Sequence, residues 1–185
     1  MRAHLIASIF LAGLAGLAAS ALAEPPQAAP LSVDGMGWLQ VGMSEADLLK
    51  HFDPAPSSEA RSKWWRQCHL WRSQSWPGLS VMIEDGQLAR LTLRQGKGAG
   101  AEQSWAVKTE AGIGLGASEA EVRAAYGEMR WEGARPNESD HNGGDLYYQP
   151  RGLAGRGLRF TLDPGARVMA IYAGGPQIGY EENCE

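Results

Sequence analysis

One twelve-residue phrase occurs twice in this chain, and that repetition limits the folds open to it more than any other feature. Val41 to Phe52 returns as Leu115 to Tyr126 at a constant offset of 74 positions, with no gap. Each copy opens on a Gly-x-Ser turn, Gly42 to Ser44 and Gly116 to Ser118. Both serines are placed to accept from orphan N–H groups of a helix start, with an acid three residues on, Asp47 and Glu121. Leu48 and Phe52, like Val122 and Tyr126, lie four apart and share a helix face. Asp53-Pro54 ends the first helix and Gly127 the second.

The segments after the two helices repeat as well. In the first half, residues 63 to 72 alternate as a strand that places Trp64, Arg66, Cys68 and Leu70 on one side and Trp65, Gln67, His69 and Trp71 on the other. Pro54 to Ser58 reads as loop. Leu79, Val81 and Ile83 alternate next, Asp85-Gly86 is a hairpin signal, and Ala89, Leu91 and Leu93 alternate after it. In the second half, a polar loop from Glu128 to Gly144 leads to strands at Asp145 to Gln149, Gly157 to Leu162 and Val168 to Ala173, with Pro164-Gly165 at the hairpin.

The expected fold is therefore α+β: two tandem repeats, each a short helix packed on an antiparallel three- to four-stranded β-meander. Side by side, the meanders can join as one sheet with both helices on one face and the other face open. The first repeat spans about residues 36–95, a Gly- and Ala-rich linker 96–104, the second repeat about 105–173, and a tail 174–185.

The start of the chain reads as an export signal. Arg2 supplies the positive end, Leu5 to Ala19 is apolar and small, and Ala21-Leu22-Ala23 fits a cleavage site, so residues 1–23 are expected to be removed. A retained signal anchor is the alternative. No Cys stands at the cleavage point, so no lipid or other membrane anchor is expected there. Residues 24–35, with Pro25, Pro26 and Pro30, read as a flexible leader. These features place the mature protein in the periplasm or outside the cell.

Without Arg2 the mature chain carries 16 basic and 21 acidic side chains, a net charge of 16 − 21 = −5. That balance argues against nucleic acid or an anionic membrane as partner. Cys68 and Cys184 are the two cysteines, and in an oxidising compartment such a pair is expected as a disulfide holding the tail to the first repeat.

A Gly-x-Ser turn entering a helix, then an antiparallel meander, in tandem, resembles the β-lactamase-inhibitor-protein fold. It is also similar to the SmpA/OmlA-type lipoproteins of the outer-membrane barrel-assembly machinery. The first resemblance implies an aromatic-rich open sheet that grips another protein, and the second an assembly scaffold. The missing lipid-bearing Cys and the long-range cysteine pair depart from both.

Alternation in the residues themselves assigns Trp65, His69, Trp71, Met82 and Arg90 to the face away from the helices. Arg94, Arg159 and Tyr172 are expected beside them. Aromatic, Met and Arg side chains are the types that protein interfaces favour. The expected partner is an envelope or extracellular protein; a glycan stacked on the indoles is the alternative.

Enzymatic readings find little support, and hydrolysis stands as a distant third behind protein and glycan binding. Cys68 and His69, adjacent on a strand, point to opposite faces. Ser80 and Ser118 lack a Gly-x-Ser-x-Gly elbow. Glu84-Asp85 belong to a hairpin, and Gly96-Lys97-Gly98 lacks the spacing of a phosphate loop. Glu138, Asp140 and His141 read as a solvated loop without further metal ligands. No cofactor or metal is expected.

Overall fold

A computed structural model describes residues 29–56, 67–97, 103–132, 143–153, 155–180 and 184. The expected signal segment, residues 24–28 of the leader, Trp64, Trp65 and the Glu138–His141 loop lie outside the described residues. In chain order the elements are β1 (Leu31–Ser32), β2 (Gly35–Met36), β3 (Leu39–Gln40), α1 (Glu45–Leu48), β4 (Pro54–Pro56), β5 (Cys68–Ser73), β6 (Leu79–Glu84) and β7 (Gln87–Arg94). Next come α2 (Gln103–Ala106), α3 (Glu119–Tyr126), β8 (Arg130–Glu132), β9 (Gly144–Tyr148), β10 (Gly157–Leu162), β11 (Val168–Gly174) and a 3-10 turn, Pro176–Gly179.

Eight strands form one antiparallel sheet in the order β4-β5-β6-β7-β11-β10-β9-β8. The fold is α+β, dominated by this sheet. Its two halves meet at β7 and β11, where Leu93 opposes Ile171 and Thr92 opposes Tyr172. β4 and β8, both expected as loop, are the edge strands. Pro54 and Pro56 are tolerated in β4 because an edge strand has one side without a ladder partner.

Leu48, Phe52 and Val122 enter one core with Leu79, Val81, Ile83, Leu91, Leu158, Phe160, Leu162 and Ile171; Tyr126 packs at its rim. A three-stranded unit of β1, β2 and β3 lies on this core too, with Leu31, Met36 and Leu39 buried. Residues 31–35 of the expected leader thus belong to this unit. Leu31 explains it: the side chain is buried, and its backbone bonds Lys108 O (2.9 Å) and Glu110 N (3.1 Å).

Each Gly-x-Ser turn docks on the hairpin of its own half by the same three backbone bonds. Gly42 N donates to Leu88 O (2.7 Å), Leu88 N to Met43 O (2.9 Å) and Glu45 N to Gly86 O (2.9 Å). Gly116 N donates to Val168 O (2.8 Å), Val168 N to Ala117 O (2.8 Å) and Glu119 N to Ala166 O (2.9 Å). Ser44 and Ser118 cap α1 and α3 as expected, and Ser118 with Glu121 closes a full capping box. α1 is shorter than the repeated phrase suggests. It ends at Leu48, and the chain reaches Phe52 through a tighter turn: Lys50 N and His51 N donate three residues back, to Asp47 O (3.3 Å) and Leu48 O (3.1 Å), before Phe52 N returns to the helical bond with Leu48 O (2.9 Å).

Both central hairpins carry a bulge. Met82 opposes Arg90 but Ile83 opposes Leu88, leaving Ala89 extra; Thr161 opposes Ala170 but Leu162 opposes Val168, leaving Met169 extra. An extra residue shifts the alternation by one. Leu88 and Val168 therefore face the core, and so do Leu91, Leu93 and Ile171. Arg90, Thr92, Arg94, Ala170 and Tyr172 face the other way. Gly174 has φ 147° and sits where a Cβ would come within 2.4 Å of Ala89 O, so only glycine lets β11 close against the bulge.

Candidate functional site: the outer sheet face

Register places one row of side chains across seven strands on the face away from α1 and α3. Arg72 opposes Ser80, Ser80 opposes Thr92, Thr92 opposes Tyr172, Tyr172 opposes Arg159, Arg159 opposes Tyr147 and Tyr147 opposes Arg130. Arg90 and Arg94 flank Thr92 on β7. The row thus alternates guanidinium groups with hydroxyls and rings.

The row's contacts are cation–π pairs. The guanidinium carbons of Arg159, Arg90 and Arg94 lie 3.9, 5.1 and 5.5 Å from the centre of the Tyr172 ring. Arg94 also donates to the Tyr172 hydroxyl. Arg130 lies 4.0 Å over Tyr147. A guanidinium held over a ring keeps its charge with less water around it.

Burial differs along the row. Arg90, Thr92, Arg159 and Tyr172 are each at most 5 % exposed, whereas Arg72, Arg94 and Arg130 reach solvent. Burial, with Arg159 and Arg94 nearby, lowers the Arg90 pKa to about 10, so it stays charged at neutral pH. Burial opposes the charge on Arg159 as well, but Tyr172, Tyr147 and Asp145 outweigh it and raise its pKa. The Asp145 carboxylate is 3.8 Å from Arg159 Nε and accepts from Thr161 Oγ1 at 2.5 Å.

The C-terminal tail crosses one end of this face. Arg90 donates to Gln177 O (2.9 Å) and Arg159 to Tyr180 O (3.2 Å). Ile178 is buried with Tyr147, Ala170 and Tyr172. Tyr180 and Gln177 donate to Glu84, and the expected disulfide joins Cys184 to Cys68 with Cα atoms 5.2 Å apart. Leu70 and Met82 pack beneath Tyr180 and Cys184.

Of the five residues expected on one face, the four that are described divide between two. Met82 and Arg90 are on the outer face, but both are buried. His69 and Trp71 oppose Ile83 and Val81 and therefore face the core side. There they clamp the first turn of α1: Glu45 Oε1 lies 2.6 Å from His69 Nε2 and accepts from Trp71 Nε1 at 2.8 Å. Alternation alone defines two faces and leaves open which parity of β5 pairs with which parity of β6. A one-residue difference in register exchanges them. Trp65 lies outside the described residues. Trp76 is core, so the aromatic character of the outer face comes from Tyr147, Tyr172 and Tyr180 instead.

A concavity of about 320 Å³ opens on the helix side, lined by Leu31, Ser32, Glu110, Tyr126 and Tyr148 among others. Among the described residues no group of three or more His, Cys, Asp or Glu could hold a metal ion. No described helix is long and apolar enough to cross a membrane.

No family model matches the sequence, and no curated protein was found similar to it. Among solved structures, the chain is similar to a DUF4309 family protein (YjgB) from Bacillus subtilis subsp. subtilis str. 168. The TM-score is 0.48 at 12 % identity, covering 81 % of this chain and 90 % of that one. A likeness at that level transfers neither fold family nor function.

Proposed function

We propose that this chain is an exported, non-enzymatic binding protein of two tandem helix-and-meander units, which grips another envelope or extracellular protein with its outer sheet face. The duplication is supported by the offset of 74 and by the three backbone bonds that recur in each half. Export is supported by the apolar first segment and by the disulfide, which persists in oxidising compartments. A duplicated unit with one sheet face left free of helices is what the resemblance to β-lactamase-inhibitor proteins implies.

One observation carries the binding reading: the row of arginines, hydroxyls and tyrosine rings running across seven strands. Arg and Tyr are the side chains most enriched among interface residues that dominate affinity. Rings and stacked guanidiniums also lose little conformational freedom when a partner arrives.

The test is a pull-down from envelope extract with the immobilised chain. Ser80→Trp blocks the outer face at a half-buried position of the row, and Lys50→Ala alters the helix side. A protein held by wild type and Lys50→Ala but lost by Ser80→Trp supports the reading. Equal retention by Ser80→Trp, or displacement by a soluble glycan, speaks against it.

A further inference from the structure

We infer that the outer face takes an acidic polypeptide segment, with one of its carboxylates received by Arg94 and Thr92 beside Tyr172. This inference rests on the binding reading above and adds the chemistry of the partner.

Three observations converge on it. Arg90, Arg94 and Arg159 bring three positive groups within 5.5 Å of one ring, in a chain whose overall charge is −4. Like charges drawn together in a site of low water content create a potential that an anion relieves. Of the three, Arg159 pairs with Asp145, while Arg94 is exposed and its side-chain partner is the Tyr172 hydroxyl, not a carboxylate. Arg94 is therefore the group that an incoming carboxylate reaches first, and its planar fork matches a carboxylate's two oxygens.

The second observation is independent of charge. Thr92 Oγ1 is buried and has no hydrogen-bond partner, on a residue only 5 % exposed. Buried hydroxyls without partners are uncommon, because the loss of water is uncompensated. This one sits on the outer side of β7 between Arg90 and Arg94, opposite both Ser80 and Tyr172. A carboxylate drawn in by Arg94 gives that hydroxyl an acceptor.

The third concerns the length of the ligand. Along the row, arginines recur on every second strand: Arg72 on β5, Arg90 and Arg94 on β7, Arg159 on β10 and Arg130 on β8. Strands stand about 4.8 Å apart, so the recurrence is about 10 Å. A segment in the polyproline-II conformation, with three residues per turn and a rise of about 3.1 Å per residue, advances about 9 Å in three residues and returns every third side chain to one face. Laid across the strands in that conformation with acids three apart, it brings its acids to the exposed Arg72 and Arg94 and, past the buried Arg159, to Arg130, which holds Glu132 here; a single small anion has no such reach.

The experiment titrates the full disulfide-bonded chain with a deca-glutamate peptide at low salt. The expected result is saturable binding that weakens with salt, falls at least about tenfold in Arg94→Gln, and is partly kept in Arg94→Lys. Lys50→Gln, on the helix side, should bind like wild type. Thr92→Val should bind several-fold more weakly while melting at the same or a higher temperature, since it removes an unpartnered buried hydroxyl of similar shape. A merely structural role for Thr92 would move both in one direction.

Absence of saturable binding, or equal weakening by Arg94→Gln and Lys50→Gln, overturns the inference. So does a preference for a sulfated glycan over deca-glutamate. The two proposals fail separately. A captured envelope protein that binds Arg94→Gln undiminished leaves the binding reading intact and removes the acidic partner. Deca-glutamate binding lost in Arg94→Gln, with no protein captured from the envelope, does the reverse.

Discussion

Opening the Cys68–Cys184 bond should cost this protein about as much stability as the most damaging core truncation. The bond closes a span of 116 residues, which in the chain-entropy model removes about 16 cal/mol/K from the unfolded state, or about 4.9 kcal/mol at 25 °C. Contacts in the tail add to this where they depend on the bond: Tyr180 to Glu84, Arg159 to Tyr180 O, and the cover over Leu70 and Met82. The part beyond Gly179 depends on it most, because Ile178 is held by its own burial among Tyr147, Ala170 and Tyr172. For a domain of this size about 1 kcal/mol shifts the melting temperature by about 2–4 °C, so the expected fall is about 10–20 °C. Urea unfolding of wild type against Cys68→Ser/Cys184→Ser, with the slope compared as well as the midpoint, measures it. A loss below about 1 kcal/mol with an unchanged slope would refute the reasoning. It would mean that the tail holds its place without the bond and that the unfolded chain gains little freedom when the bond is absent.

Two further changes test local physics. Ala166 has φ 57° in the second hairpin, a region that disfavours any side chain, and Ala166→Gly should stabilise by about 1 kcal/mol in thermal unfolding. Asp53 accepts from Ser73 Oγ (3.0 Å), Ser75 N (2.6 Å) and Ser75 Oγ. Burial alone would raise its pKa, but these bonds outweigh it and hold the pKa below the usual carboxylate value. Its stabilisation is therefore complete above the ordinary carboxylate pKa, near 4, and is lost as pH falls through the lower folded value. Asp53→Asn should cost about 1 kcal/mol at neutral pH and flatten the acid side of the stability curve.

Much of this fold was legible in the residues. Two helix starts were readable because Ser44 and Ser118 combine a cap, a preceding glycine and an acid three residues on, each with its own physical role. The disulfide was readable from an even pair of cysteines in a chain whose start reads as an export signal. The Asp85-Gly86 hairpin formed as expected, with both residues at positive φ. The joining of the halves through β7 and β11 was harder to foresee, since backbone pairing between distant strands leaves no local mark in the sequence.

The outer face was legible only in part, and the reason is parity. Arg90, Arg94, Arg159 and Tyr172 were expected on it and are there, whereas His69 and Trp71 are on the opposite side. The bulges did leave a trace: Leu88 and Leu91 are three apart, as are Val168 and Ile171, where regular strands would space apolar residues by two. Nothing comparable marks the register of β5, whose two faces both carry large side chains. The tail's course over Arg90 and Met82 was equally hidden. Its anchor was visible in Cys184, but not which face it would cross.

The central claim is that the outer face, not the helix face, meets the partner. Site-specific photo-crosslinking tests it most directly, with a benzophenone side chain introduced at Ser80 in one experiment and at Lys50 in another, in intact cells that produce the protein. The account predicts a discrete cross-linked protein from position 80 and none from position 50. A partner captured from position 50 but not from position 80 would contradict it.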